Sequence, residues 1–148
     1  MQLSFAFTLL FNLFIQTSPI QVQQLHGTWQ LVNFEGIEKI RNSPQYLNAN
    51  AEMRKGIDYK IQSRLENTIY EFVEGDSLKF TDFENGAIVQ KIAKVAINEQ
   101  NVLTIKDNKE TRSAKIVEFD KDRLVIEPIS DTPGAGKLEF QRFVEKNQ

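Results

Sequence analysis

The chain has 148 residues, no cysteine and a formal net charge of −2, which bounds it to one domain with a core of its own. The lack of cysteine rules out a disulfide-stapled fold, thiolate chemistry and sulfur ligation of zinc. Acids and bases are intermixed, so there is no clustered basic face of the kind a nucleic acid needs, and no nucleic-acid partner is expected.

Charge is absent from Met1 to Gln24, and every charged residue lies beyond. Leu3 to Ile15 is an apolar run interrupted by Ser4, Thr8 and Asn12. It is shorter than the ~20 residues a membrane span needs, so no stable span is expected. Its length suits the hydrophobic part of an export signal, although the segment before it has no Lys or Arg. Residues 1–24 are therefore expected to be a signal peptide and 25–148 the folded domain, with a periplasmic or secreted destination. The alternative is a buried apolar N-terminal helix.

Leu25 to Glu35 reads as a first strand, with Trp29, Leu31 and Asn33 on one face and Gly36 at its end. The period then changes. Ser43-Pro44 is a helix start, with serine as cap and proline at the first helical position. Tyr46, Leu47, Met53, Ile57, Ile61 and Leu65 follow at mostly helical spacing and predict an apolar face over Pro44 to Leu65, with Gly56 as a potential break.

From Thr68 onward the period is two. Strands are predicted at Thr68–Glu74, Ser77–Phe83, Ala87–Ile97, Val102–Lys106, Arg112–Phe119, Arg123–Glu127 and Lys137–Val144. A bulge is expected in the long Ala87–Ile97 strand, and Pro128 is expected to end the strand before it. Turn chemistry separates them: Gly75-Asp76, Asn85-Gly86, Asn98 to Asn101, Asp107-Asn108-Lys109 and Asp120-Lys121-Asp122. Pro133-Gly134-Ala135-Gly136 lies between two strands with no helix after it, so it reads as a loop and not as a phosphate cradle.

About eight strands joined by hairpins make a meander that removes its edges by closing into an up-and-down antiparallel barrel. The expected fold class is therefore all-β, an eight-stranded barrel with a helical insert between the first and second strands. A split sandwich of the same strands is the rival. A barrel of this size is filled by its own side chains or holds one small ligand.

The run Leu25-His26-Gly27-Thr28-Trp29-Gln30-Leu31-Val32 resembles the opening of bacterial lipocalin-like domains, a calycin type of barrel. In that family a Gly-x-Trp motif starts the first strand and a late Arg or Lys packs over the Trp ring. The resemblance implies that Gly27, Trp29 and Arg142 close the base of the barrel. The chain departs from typical lipocalins in carrying its helical stretch after the first strand, where it would cover the mouth.

Tyr70, Phe72, Phe80 and Phe119 are candidates for the wall of a ligand cavity, the alternative being a packed core. Tyr46, Tyr59 and Phe83 belong to the same aromatic set. Arg64, Arg112 and Arg123 could meet a ligand carboxylate, because Arg recognises it with two parallel bonds. Arg112, in register with Ala114 and Ile116, is the first choice. His26 is the only histidine and has no assignable nucleophile. No catalytic motif, metal site or cofactor site is read from the sequence. The expected function is an exported, non-enzymatic binding protein for a small apolar or amphipathic ligand. The alternative is a cell-envelope interaction or structural module with a filled barrel.

Overall fold

The structure, a computed structural model, describes residues 18–84, 86–130 and 136–143. Eight antiparallel strands follow one another around a closed barrel: β1 (Gly27–Phe34), β2 (Ile69–Val73), β3 (Ser77–Glu84), β4 (Ala87–Ile97), β5 (Val102–Lys106), β6 (Thr111–Phe119), β7 (Arg123–Ile129) and β8 (Leu138–Arg142). Each strand pairs with its sequence neighbours, and β8 returns to pair with β1, Trp29 opposite Arg142 and Leu31 opposite Phe140. This is the expected barrel, and the sandwich is not formed. Asn85, residues 131–135 and Val144, which belonged to the predicted turns and last strand, lie outside the described residues.

The strand parity follows the pattern of apolar residues, with two interruptions. In β1 the pairing with β8 slips by one residue between Leu31 and Asn33. The slip moves Phe34 to the buried side and leaves Asn33 exposed, against the strict alternation expected of this strand. A second slip falls in β6, between Ile116 and Glu118. The bulge expected in β4 is absent from its pairings with β3 and β5, which run in continuous register. The β7 strand also continues past its expected end. Beyond Ile126 it keeps β6 as its partner but not β8, so Pro128 sits in a strand with one open side, where proline is tolerated.

Three helices occupy the connection from β1 to β2: α1 (Gly36–Arg41), α2 (Pro44–Leu47) and α3 (Ala51–Asn67). Gly36, expected as a stop, opens α1 instead. Ser43 caps α2 as predicted, its Oγ accepting from the Tyr46 N–H at 3.3 Å. The break in the helical stretch falls at Asn48–Asn50 and not at Gly56. Asn50 accepts the Met53 N–H at 2.9 Å and so starts α3 as a new helix, while Gly56 stays inside it. The apolar face is also narrower than predicted. Ile61 is buried, with Ile57 and Leu65 half-buried beside the core, whereas Leu47 and Met53 are exposed.

The core runs the length of the barrel. Leu25, Trp29, Leu31, Phe72, Leu78, Leu103, Leu124 and Phe140 are its fully buried large side chains among the described residues. At the end where β1 begins, a 3-10 turn at Val22–Leu25 packs across the opening, with Val22 and Leu25 buried. Ile20, two residues before the turn, donates its N–H to Asn101 Oδ1 at 2.8 Å. The last residues of the segment expected to precede the domain thus lie against the barrel. Among the described residues no helix is long and apolar enough to cross a membrane.

Candidate functional site

The closed end is built around Trp29. Its ring is fully buried and its Nε1 donates to the Leu25 carbonyl at 2.8 Å, which ties the 3-10 turn to the core. Arg142 lies over the ring, its guanidinium carbon 4.2 Å from the centroid. The same guanidinium donates to the carbonyls of Lys121 at 2.6 Å, His26 at 2.6 Å and Gln24 at 3.4 Å. One cation therefore joins the β6–β7 turn, the start of β1 and the 3-10 turn. Gly27 explains the first position of the Gly-x-Trp motif. Its φ is +120°, and a Cβ there would stand 2.7 Å from Arg142 Nη1. Only glycine gives both the backbone angle and the room for the arginine. His26 contributes its carbonyl here, and its half-buried imidazole Nε2 has no hydrogen-bond partner.

The opposite end is open. A cavity of about 650 Å³ lies between the barrel and α3. Leu31, Tyr70, Phe80 and Leu138 form its apolar wall, and Tyr59, Lys60, Ser63, Arg64 and Asn67 of α3 border it from the helix side. Thr81, Ile88 and Arg112 complete the rim. The wall aromatics are held against one another: the Tyr70 ring centroid is 4.8 Å from Phe140 and 6.0 Å from Phe80. Such tilted and edge contacts fix ring positions and favour a preformed surface.

Of the residues singled out for ligand binding, Tyr70, Phe80 and Arg112 meet on this cavity. Phe72 and Phe119 do not. Phe72 is fully buried next to Leu78 and Gly27 in the register of β2 with its neighbours, deeper than the cavity floor. Phe119 sits at the closed end, its ring 6.2 Å from that of Trp29. Both lie on strands with the expected inward parity. What parity does not encode is depth along the barrel axis, and depth decides whether an inward side chain packs or lines a space.

The arginines also separate. Arg112 lies 5.3 Å from the Phe80 centroid, with its Nη2 3.7 Å from Asp107 and its Nε 3.3 Å from Glu110. Its charge is therefore met by two carboxylates of the β5–β6 hairpin. Arg123 is on the outer surface, bridging Glu118 and Glu139. Arg64 lies 4.2 Å over the Phe34 ring and borders the cavity. Tyr46 is away from the cavity. Its hydroxyl donates to Asp58 at 2.9 Å, and that bond holds the phenol above its usual pKa. Lys60 and Ser63 were not singled out by sequence. The signal that could have found them is the spacing of Lys60, Ser63, Arg64 and Asn67, which puts them on one stripe of a helix. Among the described residues no cluster of His, Asp and Glu is placed to hold a metal ion.

No curated protein matches the chain. The profile of the family described as Lipocalin-like domain matches residues 25–126, which spans the strands from β1 into β7 and the helical connection. Members of this class of fold bind small ligands in general and are generally not enzymes. Gly-x-Trp at the start of β1, eight strands in a closed meander and a match over more than half of its length place the chain in the lipocalin-like domain family.

Proposed function

We propose that the protein is an exported, non-enzymatic carrier of one small amphipathic molecule, whose apolar part lies against Leu31, Tyr70, Phe80 and Leu138 under α3. The observation that supports this most is the contrast along the barrel axis. One end is plugged by Trp29, Arg142 and the 3-10 turn, while the other keeps a cavity of about 650 Å³ with an aromatic wall and a polar helix at its edge. That volume is in the range of ligand sites, which are mostly apolar with a few placed polar groups. The envelope-module reading requires a filled barrel, and the space beneath α3 speaks against it.

Export is supported by the uncharged segment at the start of the chain. The packing of Ile20, Val22 and Leu25 on the barrel adds a boundary: cleavage that leaves the closed end intact falls before Ile20. N-terminal sequencing of the mature protein checks this, and a start after Leu25 would be inconsistent with the plug.

The binding test is a titration with the neutral fluorescent probe N-phenylnaphthylamine. Saturable binding of one probe per chain is expected, and Ser63→Trp, which fills the mouth from the helix side, should abolish it while leaving the β-sheet circular dichroism unchanged. Absence of saturable binding by the unmodified chain would overturn the carrier reading.

A further inference from the structure

We infer that the carried molecule has an anionic head group, and that Lys60 and Arg64 of α3 hold it at the mouth of the cavity. The inference rests on the carrier reading above and adds the chemical class of the ligand. It comes from the way α3 sorts its side chains. Ile57, Ile61 and Leu65 form the stripe that packs on the core. None of the helix's three acids lines the cavity, and two of them are occupied elsewhere: Asp58 accepts from Tyr46 at 2.9 Å and pairs with Arg41 at 3.5 Å, and Glu66 accepts from Gln62 at 2.9 Å. The stripe turned to the cavity carries the cations Lys60 and Arg64.

Among the side chains described, which do not include those of residues 82–85, no carboxylate borders the cavity, although the whole chain is net negative. Neither Lys60 nor Arg64 is in an ion pair with any described residue. Arg64 is held by its face, 4.2 Å over the Phe34 ring. Stacking of this kind orients the guanidinium and leaves its edge, where the N–H groups point, for a planar or tetrahedral oxyanion. Arg112 differs in that respect, because Asp107 and Glu110 already meet its edge. An anion at Arg112 would have to compete with two carboxylates, and one at Lys60 and Arg64 would not.

A plainer account exists for Arg64. It stands in the last turn of α3, where a cation offsets the negative end of the helix dipole. That account does not reach Lys60, one turn earlier, and it predicts an effect on stability without any effect on ligand choice.

The experiment is calorimetry on the full chain with four probes of one tail length, each below its micelle concentration: dodecanoate, dodecyl phosphate, dodecanol and dodecylammonium. One or both anions are expected to bind at least about tenfold more tightly than the alcohol, the margin of one charge-assisted hydrogen bond, with the ammonium weakest. The two anions distinguish a carboxylate from a phosphate head. In Lys60→Gln/Arg64→Gln the preference for the anion over the alcohol should fall to within about twofold, while alcohol binding persists and shows the cavity intact. In Arg112→Gln the ratio of anion to alcohol should be kept, whatever happens to both affinities. Equal binding of anions and alcohol by the unmodified chain overturns the head-group inference and leaves the carrier reading standing. So does a preference that survives the Lys60/Arg64 change or disappears with Arg112. Failure of every probe to bind overturns both.

Discussion

The two ends of the barrel use the same contact in opposite settings. At the closed end Arg142 lies 4.2 Å over Trp29, and at the open end Arg64 lies 4.2 Å over Phe34. The geometry of cation and ring is alike. The difference is in what the edge of each guanidinium meets. Arg142 directs its N–H groups to the carbonyls of Lys121, His26 and Gln24 and binds three segments of chain together. Arg64 has the cavity in front of it. Stacking alone thus does not separate the two arginines; what the edge of each guanidinium meets does.

The comparison breaks first at Trp29. Trp29→Ala removes the fully buried indole on which the plug rests and is expected to cost roughly 3–5 kcal/mol, read from the denaturant midpoint. An unchanged midpoint would show that the closed end does not depend on the ring. Gly27→Ala comes next, at about 1–3 kcal/mol, because it forces a side chain into a left-handed backbone angle and against Arg142. The Arg142→Met change should partly relieve the steric share of that cost, so the two substitutions are expected to be less than additive.

Double-mutant cycles sharpen the contrast between the ends. Trp29→Phe with Arg142→Met is expected to show a coupling of roughly 0.5–2 kcal/mol, since the pair is partly desolvated and in direct contact. Phe34→Leu with Arg64→Met should couple more weakly, by about 0.5 kcal/mol, because Arg64 is exposed. Couplings of equal size would mean that burial does not separate the two arginines.

The smallest expected effect concerns the hairpins that turn β5 into β6 and β6 into β7. Asp107 accepts the N–H groups of Glu110 at 2.9 Å and Lys109 at 2.8 Å, and Asp120 accepts those of Asp122 and Arg123, both at 2.8 Å. These bonds hold both carboxyls below the usual aspartate value. A carboxyl lowered by folding stabilises the folded state above its unfolded pKa, near ~3.9, and that contribution is lost as pH falls through the lower folded value. The denaturant midpoint should therefore drop below about pH 4, and Asp107→Asn should make the acid-side drop shallower. A drop identical in the variant would assign the acid sensitivity to other groups.

Much of the barrel was legible because strand period and turn chemistry agree along the chain. The strands Ala87–Ile97 and Val102–Lys106 fall where alternation and the Asn and Asp turns put them. The closing pair was legible for a different reason. A Trp on the first strand and an Arg on the last, each on an inward face, become neighbours once a meander closes. The missed features are those that local pattern does not carry. The slip after Leu31 depends on how β8 pairs, so Phe34 changes face for a reason lying roughly a hundred residues away. The break at Asn48–Asn50 went to the better cap, Asn50, and not to the weaker helix former, Gly56, because one satisfied N–H fixes a helix start while an interior glycine costs only about 1 kcal/mol. The candidate site was half visible. Tyr70, Phe80 and Arg112 reach the cavity, but Lys60 and Ser63 lie on a polar stripe beside the apolar one, and hydrophobic periodicity does not mark such a stripe.

The join between α3 and β2 anchors one end of the helix that covers the cavity. Thr68 alone separates the two elements, and its hydroxyl donates back to the Arg64 carbonyl at 2.7 Å. Thr81 of β3 donates to the Asn67 carbonyl and accepts the Ile69 N–H, so the C-terminal end of the helix is fastened to two strands. At the other end Arg54 donates to the carbonyls of Tyr46 and Leu47, which ties α3 to the small helix before it instead of to the barrel. A helix fixed at one end and carried by a light partner at the other is expected to loosen first at the lightly held end. Amide exchange along α3 is therefore expected to run fastest near Ala51 and to slow progressively toward Asn67, and on the carrier reading that loosening would pace ligand exchange.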